Sequence, residues 1–136
     1  MRRFSLVLVS LALAACSDDP AGPGDELTLK VEQAEVVRET AAVEGAAGAV
    51  VVQGTYVAPS SGYTLRADYR VTSGGVIVSI TGVPPGIGFH VISGLDYRAT
   101  VPLPAGTHTV RVIHGEADRD ATRHLVARQQ VTVRGS

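Results

Sequence analysis

The stretch "TLRADYRVTSGGVIVSITGV", residues 64–83, decides the fold class. Leu65, Ala67, Tyr69 and Val71 alternate with Thr64, Arg66, Asp68 and Arg70, so one face is apolar and the other polar. That period of two belongs to a half-buried β-strand; a helix would repeat its apolar positions at three and four. After Ser73-Gly74-Gly75 the alternation resumes, with Val76, Val78 and Ile80 on one face. Two alternating runs joined by a short glycine-rich break read as a β-hairpin.

The same period continues on both sides. "LTLKV" (27–31) pairs Leu27, Leu29 and Val31 against Thr28 and Lys30. "YRATVPL" (97–103) aligns Tyr97, Ala99, Val101 and Leu103; "HTVRVIH" (108–114) aligns Val110 and Val112. "VARQQVTVR" (126–134) turns Val131 and Val133 inward. "AVVVQGTYV" (49–57) is more apolar, as a central strand would be. Turn chemistry separates the runs: "APSSGY" (58–63), "VPPGIG" (83–88) and "LPAG" (103–106). Short strands at such spacing predict an all-β antiparallel sandwich of about seven strands. Residues 32–48, "EQAEVVRETAAVEGAAG", admit a short helix, or a first strand continued through Val36 and Val37 and followed by an Ala/Gly-rich loop. The neighbouring β pattern favours strand and loop.

Composition narrows the function. Aromatic residues make up 4% and Trp is absent, so the core must be built from Val, Ile, Leu and Ala. Net charge is −1, so no strong overall field invites nucleic acid or an anionic membrane, and only Lys30 among the twelve basic residues is a lysine. No basic run lies in the body of the chain, so no nucleic-acid footprint is visible.

The first residues read as a targeting segment. Arg2 and Arg3 precede an apolar run from Phe4 to Leu13, and Ala14 and Ala15 then lead to Cys16. The run matches the h-region of a secretory leader and is shorter than the roughly 20 residues of a membrane-spanning helix. Leu13-Ala14-Ala15-Cys16 resembles the lipobox of bacterial lipoproteins, a resemblance confined to the first 16 residues or so. It implies cleavage before Cys16, and a diacylglyceryl thioether on that cysteine, often with a third chain on its amine. The alternative is an ordinary leader cut after the small residues, with Cys16 a bystander thiol. Domain organisation follows: leader 1–15, lipidated cysteine and polar tether 16–25 ("CSDDPAGPGD"), β domain 26–136. Cleavage leaves ten basic residues against thirteen acidic ones. Ser17 in the place after the cysteine, where some bacteria read aspartate as an inner-membrane signal, favours the outer membrane.

"LPAGTHTVRV", residues 103–112, resembles the late hairpin of fibronectin type III and related immunoglobulin-like domains through Leu103, Pro104, Val110 and Val112. That resemblance implies an immunoglobulin-like sandwich. Where the family carries its corner tyrosine this chain has His108, whose imidazole could make the equivalent bond to the backbone.

Candidate chemistry is sparse. Of four histidines, His108 and His114 stand about 20 Å apart along one strand, too far to share an ion. His114 and His124 flank "GEADRDATR" and could converge at its base, the best metal-like pair, though no third ligand is evident. Glu116, Asp118 and Asp120 alternate in that loop, but Arg119 and Arg123 interleave them, which fits a solvated hairpin tip. No nucleophile elbow, His-Glu-x-x-His motif or phosphate-cradling glycine loop is present. In "TGVPPGIGFH" (81–90) the plainer reading folds Ile87 and Phe89 onto the sandwich end; the functional reading leaves them standing as a stiff apolar contact. Asp118 and Asp120 are the corresponding candidates in the second loop. The expectation is therefore a membrane-anchored envelope lipoprotein, a non-catalytic binding or structural module with an envelope protein as partner and no cofactor. The alternative is a metal-binding envelope protein using His114, His124 and the acids between them.

Overall fold

The computed structural model describes residues 26–135. The leader, Cys16 and the tether assigned to residues 1–25 lie outside the described residues. Eight strands follow in order: β1 Thr28–Gln33, β2 Thr40–Ala46, β3 Ala49–Ala58, β4 Thr64–Thr72, β5 Gly75–Val83, β6 Ser93–Pro102, β7 Gly106–Glu116 and β8 Arg119–Val133. They form two four-stranded sheets, β1-β6-β3-β2 and β4-β5-β7-β8, packed face to face as an all-β sandwich. Five of the six ladders between these strands are antiparallel; β5 and β7 run parallel, pairing Val76 with Val110 and Ile80 with His114. The chain leaves β5 for the other sheet, forms β6, and returns in β7 along the direction it left.

The alternating apolar positions meet between the sheets. Val50, Val52, Val76, Val78, Ile80, Ala99, Val101, Val110, Val112 and Val133 are buried, together with the rings of Tyr56 and Tyr97. Burying an aliphatic side chain of this kind contributes about 1.5–3 kcal/mol. Among the described residues the core runs from Leu27 to Val133. β3 is central in its sheet, as its continuous apolar run requires.

Residues 32–48 resolve differently from both readings. β1 stops at Gln33, and Thr40–Ala46 is a strand rather than a loop, joined to β3 by Ala47 and Gly48 in a tight hairpin. Its Ala-rich sequence has weak strand preference on its own; pairing with β3 and burial of Val43 override that preference. This is the strand added to the expected seven. "GEADRDATR" also shrinks from a loop to a turn, because β7 runs through Glu116 and β8 begins at Arg119. Asp118 occupies the turn with left-handed backbone, φ 62°, which aspartate tolerates better than most residues.

At the β6–β7 corner, His108 donates its Nε2 proton to the Pro104 carbonyl at 2.8 Å, four residues upstream. The imidazole thus makes the backbone bond that a corner tyrosine makes.

The strand directions divide the sandwich into two ends. The residues just before β1 and just after β8, and the turns 47–48, 73–74 and 103–105, lie at one end; segments 34–39, 59–63, 84–92 and 117–118 gather at the other. The candidate site sits at this second, loop end.

Candidate functional site

Two glycines open the loop end to aromatic rings. Gly82 of β5 lies under the Tyr56 phenol, and any Cβ there would overlap the ring; Gly54 of β3 lies under the Tyr97 hydroxyl, 2.8 Å from where a Cβ would stand. Tyr56 and Tyr97 therefore reach inward from one sheet towards His114 on the other, each with a ring-to-ring distance of 5.5 Å. Tyr56 donates its hydroxyl to the Gly115 carbonyl at 2.9 Å.

His114 is fully buried, and both its nitrogens are engaged. Nδ1 lies 2.9 Å from Oε2 of Glu39, and Nε2 lies 2.8 Å from the Tyr97 hydroxyl. A carboxylate only accepts, so Nδ1 carries a proton. Burial holds His114 below the ordinary histidine range and favours the neutral ring, in which Nε2 accepts from the phenol. Burial raises both phenols: Tyr56 is pushed up to about 12, helped by the Glu116 charge, and Tyr97 is pushed well above its ordinary value with help from Glu39. Both remain hydroxyl donors.

His124 faces His114 across the β7–β8 ladder, ring centroids 6.2 Å apart. Its Nε2 lies 2.7 Å from the same Oε2 of Glu39, and its Nδ1 lies 2.8 Å from the Thr122 carbonyl. Both partners are acceptors, so both ring nitrogens must donate, which makes His124 an imidazolium. The Thr122 carbonyl and the Glu39 carboxylate both raise its affinity for a proton. Register shifts between Val112 and Ile113, and between His114 and Glu116, set this facing pair; bulges of this kind re-aim side chains.

The convergence expected of His114 and His124 is present, and the carboxylate joining them comes from Glu39, which sequence reasoning passed over. Glu39 lies in the segment before β2, 75 residues from His114, and no local signal links the two. The acids expected beside the histidines go elsewhere: Glu116 pairs with Arg119 at 3.6 Å, and Asp118 and Asp120 are exposed on the turn and on β8. Among the described residues no group of three or more His, Cys, Asp or Glu side chains is placed to hold a metal ion. Glu39, His114, His124 and Tyr97 act together as a fastening. They tie the 34–39 segment down over the sandwich end, where Ala34 also donates to the Gly94 carbonyl at 2.9 Å.

Beside this fastening stands the loop of residues 84–92. Ile87 is 95% exposed, Phe89 79%, Ile92 64% and Val91 59%. The loop does not fold these side chains onto the sandwich end. Its backbone is nonetheless held: Ser61 N–H donates to the Phe89 carbonyl at 3.0 Å, Phe89 N–H to the Ser61 hydroxyl at 3.1 Å, and the Ser93 hydroxyl to the Ser60 carbonyl at 3.0 Å. Pro84 and Pro85 restrict its entry. The result is a stiff apolar projection beside a rigid polar network.

Compared with family models, with curated proteins and with solved structures, the chain has no match in any of the three. The functional reading therefore rests on the site itself.

Proposed function

We propose that this chain is a non-catalytic binding module of the bacterial cell envelope, held by lipid on Cys16, that engages an envelope protein through the loop of residues 84–92. The observation that carries the reading is the exposure of Ile87, Phe89, Val91 and Ile92 on a backbone held to its neighbours by three hydrogen bonds. A contiguous apolar projection rimmed by polar groups marks a contact surface, and prior ordering of the loop lowers the entropy lost on association. The loop lies at the end of the sandwich opposite the residue where the tether joins, so an anchored domain would present it away from that attachment. The buried histidine supports a non-catalytic role. His114 has no exposed surface for a substrate, and the raised phenols of Tyr56 and Tyr97 are poor nucleophiles at neutral pH.

The test is a crosslinking pull-down from envelope extract with the chain from residue 17 onward, set beside Ile87→Ser/Phe89→Ser. The expected result is a discrete partner recovered by the first and lost by the second. Equal recovery by both would remove the loop from the reading. Mass spectrometry of the exported chain tests the anchor separately: an acylated Cys16 at the N-terminus is expected, and a free thiol or a retained leader would overturn it.

A further inference from the structure

The near-neutral total charge conceals a segregated one. On the outer face of the β4-β5-β7-β8 sheet, the register aligns Arg70, Ile77, Arg111 and Arg128 in one row across all four strands. A second row holds Asp68, Ser79, Ile113 and Leu125. In a third, Arg66 sits opposite Thr81, and Arg123 lies over Gly115 and donates to the Ser79 hydroxyl at 3.3 Å. These three rows hold five arginines and one aspartate. Among the described residues, Arg66, Arg70, Arg111 and Arg128 form no ion pair. Aliphatic groups are interspersed, with Leu125 54% exposed.

We infer that this face docks on the phosphate headgroups of an anionic lipid bilayer. Three observations favour that occupant. First, guanidinium groups bind phosphate through paired N–H donors, and among the described residues no carboxylate forms an ion pair with any of the five. Second, the interspersed Ile77, Ile113 and Leu125 suit a surface that is anionic outside and apolar just beneath, which a soluble acidic glycan does not offer. Third, β1, the first strand after residues 17–25, touches β4, the edge strand of the other sheet that carries Arg66 and Arg70. Nine residues span at most about 30 Å fully extended. If Cys16 is acylated as proposed, this face is never far from headgroups. The proposal concerns the domain's side face and leaves the apolar loop at its end unobstructed.

The test uses the chain from Ser17 onward, which holds all of the described core and carries no lipid, so its outcome is independent of Cys16 modification. Co-sedimentation is measured with phosphatidylcholine vesicles, alone and mixed with phosphatidylglycerol, and with a soluble acidic polysaccharide in parallel. Partition onto the mixed vesicles only is expected, lost when added salt shortens the screening length to about 3 Å. Each surface arginine contributes about fivefold, so Arg70→Gln/Arg111→Gln/Arg128→Gln should weaken partition about 100-fold. Arg98→Gln, on the other sheet, should change it less than twofold. The single variants Arg70→Gln and Arg128→Gln, each expected to lose about fivefold, serve if the triple variant does not fold. Wild-type chain left in the supernatant with mixed vesicles at low salt would overturn the proposal. So would equal binding by the triple variant, and so would retention by the polysaccharide without the vesicles.

Discussion

His124 donates Nδ1–H to the Thr122 carbonyl at 2.8 Å and Nε2–H to Oε2 of Glu39 at 2.7 Å, and the two acceptors together hold it as an imidazolium. The same oxygen accepts from His114, whose ring is neutral because it is buried. One carboxylate therefore joins two histidines in opposite protonation states.

Stability should peak near the ordinary imidazole value, about 6.5. His124 binds its proton more tightly folded than unfolded, so its contribution is complete below that value and is lost as pH rises through its raised folded pKa. His114 behaves oppositely: the unfolded chain takes up a proton first, so stability falls as pH drops below the ordinary value towards the lowered folded one. Melting temperature measured against pH should show a ridge, and Glu39→Gln should lessen the slope of its alkaline side, the part due to the Thr122 carbonyl remaining. An unchanged profile in that variant would refute the shared-carboxylate assignment.

Tyr97→Phe should cost about 1–3 kcal/mol in urea unfolding, because it leaves the buried Nε2 of His114 without its donor. Restoring the apolar contact does not compensate, since the ring is retained and only the hydroxyl is lost. Loss of less than half a kilocalorie would show that the hydroxyl bond is dispensable.

Gly82→Ala should destabilise by about 1–3 kcal/mol through overlap with the Tyr56 ring. The penalty should shrink when Tyr56 is replaced by Ala, and a double-mutant cycle reads that coupling directly. Additive effects would mean that the ring does not set the steric limit.

Ile87→Ser/Phe89→Ser should leave the melting temperature almost unchanged, within about 0.5 kcal/mol per substitution, because neither side chain packs on the core. A large drop would place these residues in the fold instead of at a contact surface.

Parts of this outcome were legible along the chain and parts were not. The alternation of residues 64–83 specified a hairpin, and the valine-rich runs specified two faces packed together, because side-chain period is a local property of the backbone. The apolar run of residues 49–57 read as central and became β3. Thr40–Ala46 escaped notice as a strand because alanine and glycine give no alternating signal until β3 pairs with them. The meeting of His114 and His124 was visible as two residues flanking a turn; Glu39 was not, being brought in across the sandwich.

By itself, the sequence determined period, turn positions and hence the all-β class, since these depend on neighbours two to four residues apart. Only the tertiary structure decided that β5 and β7 run parallel, that one glutamate serves two histidines, and that five arginines share a face in a chain of net charge −1. Those relations join residues tens of positions apart. They are set by how two sheets stack and cross, a choice no local pattern encodes.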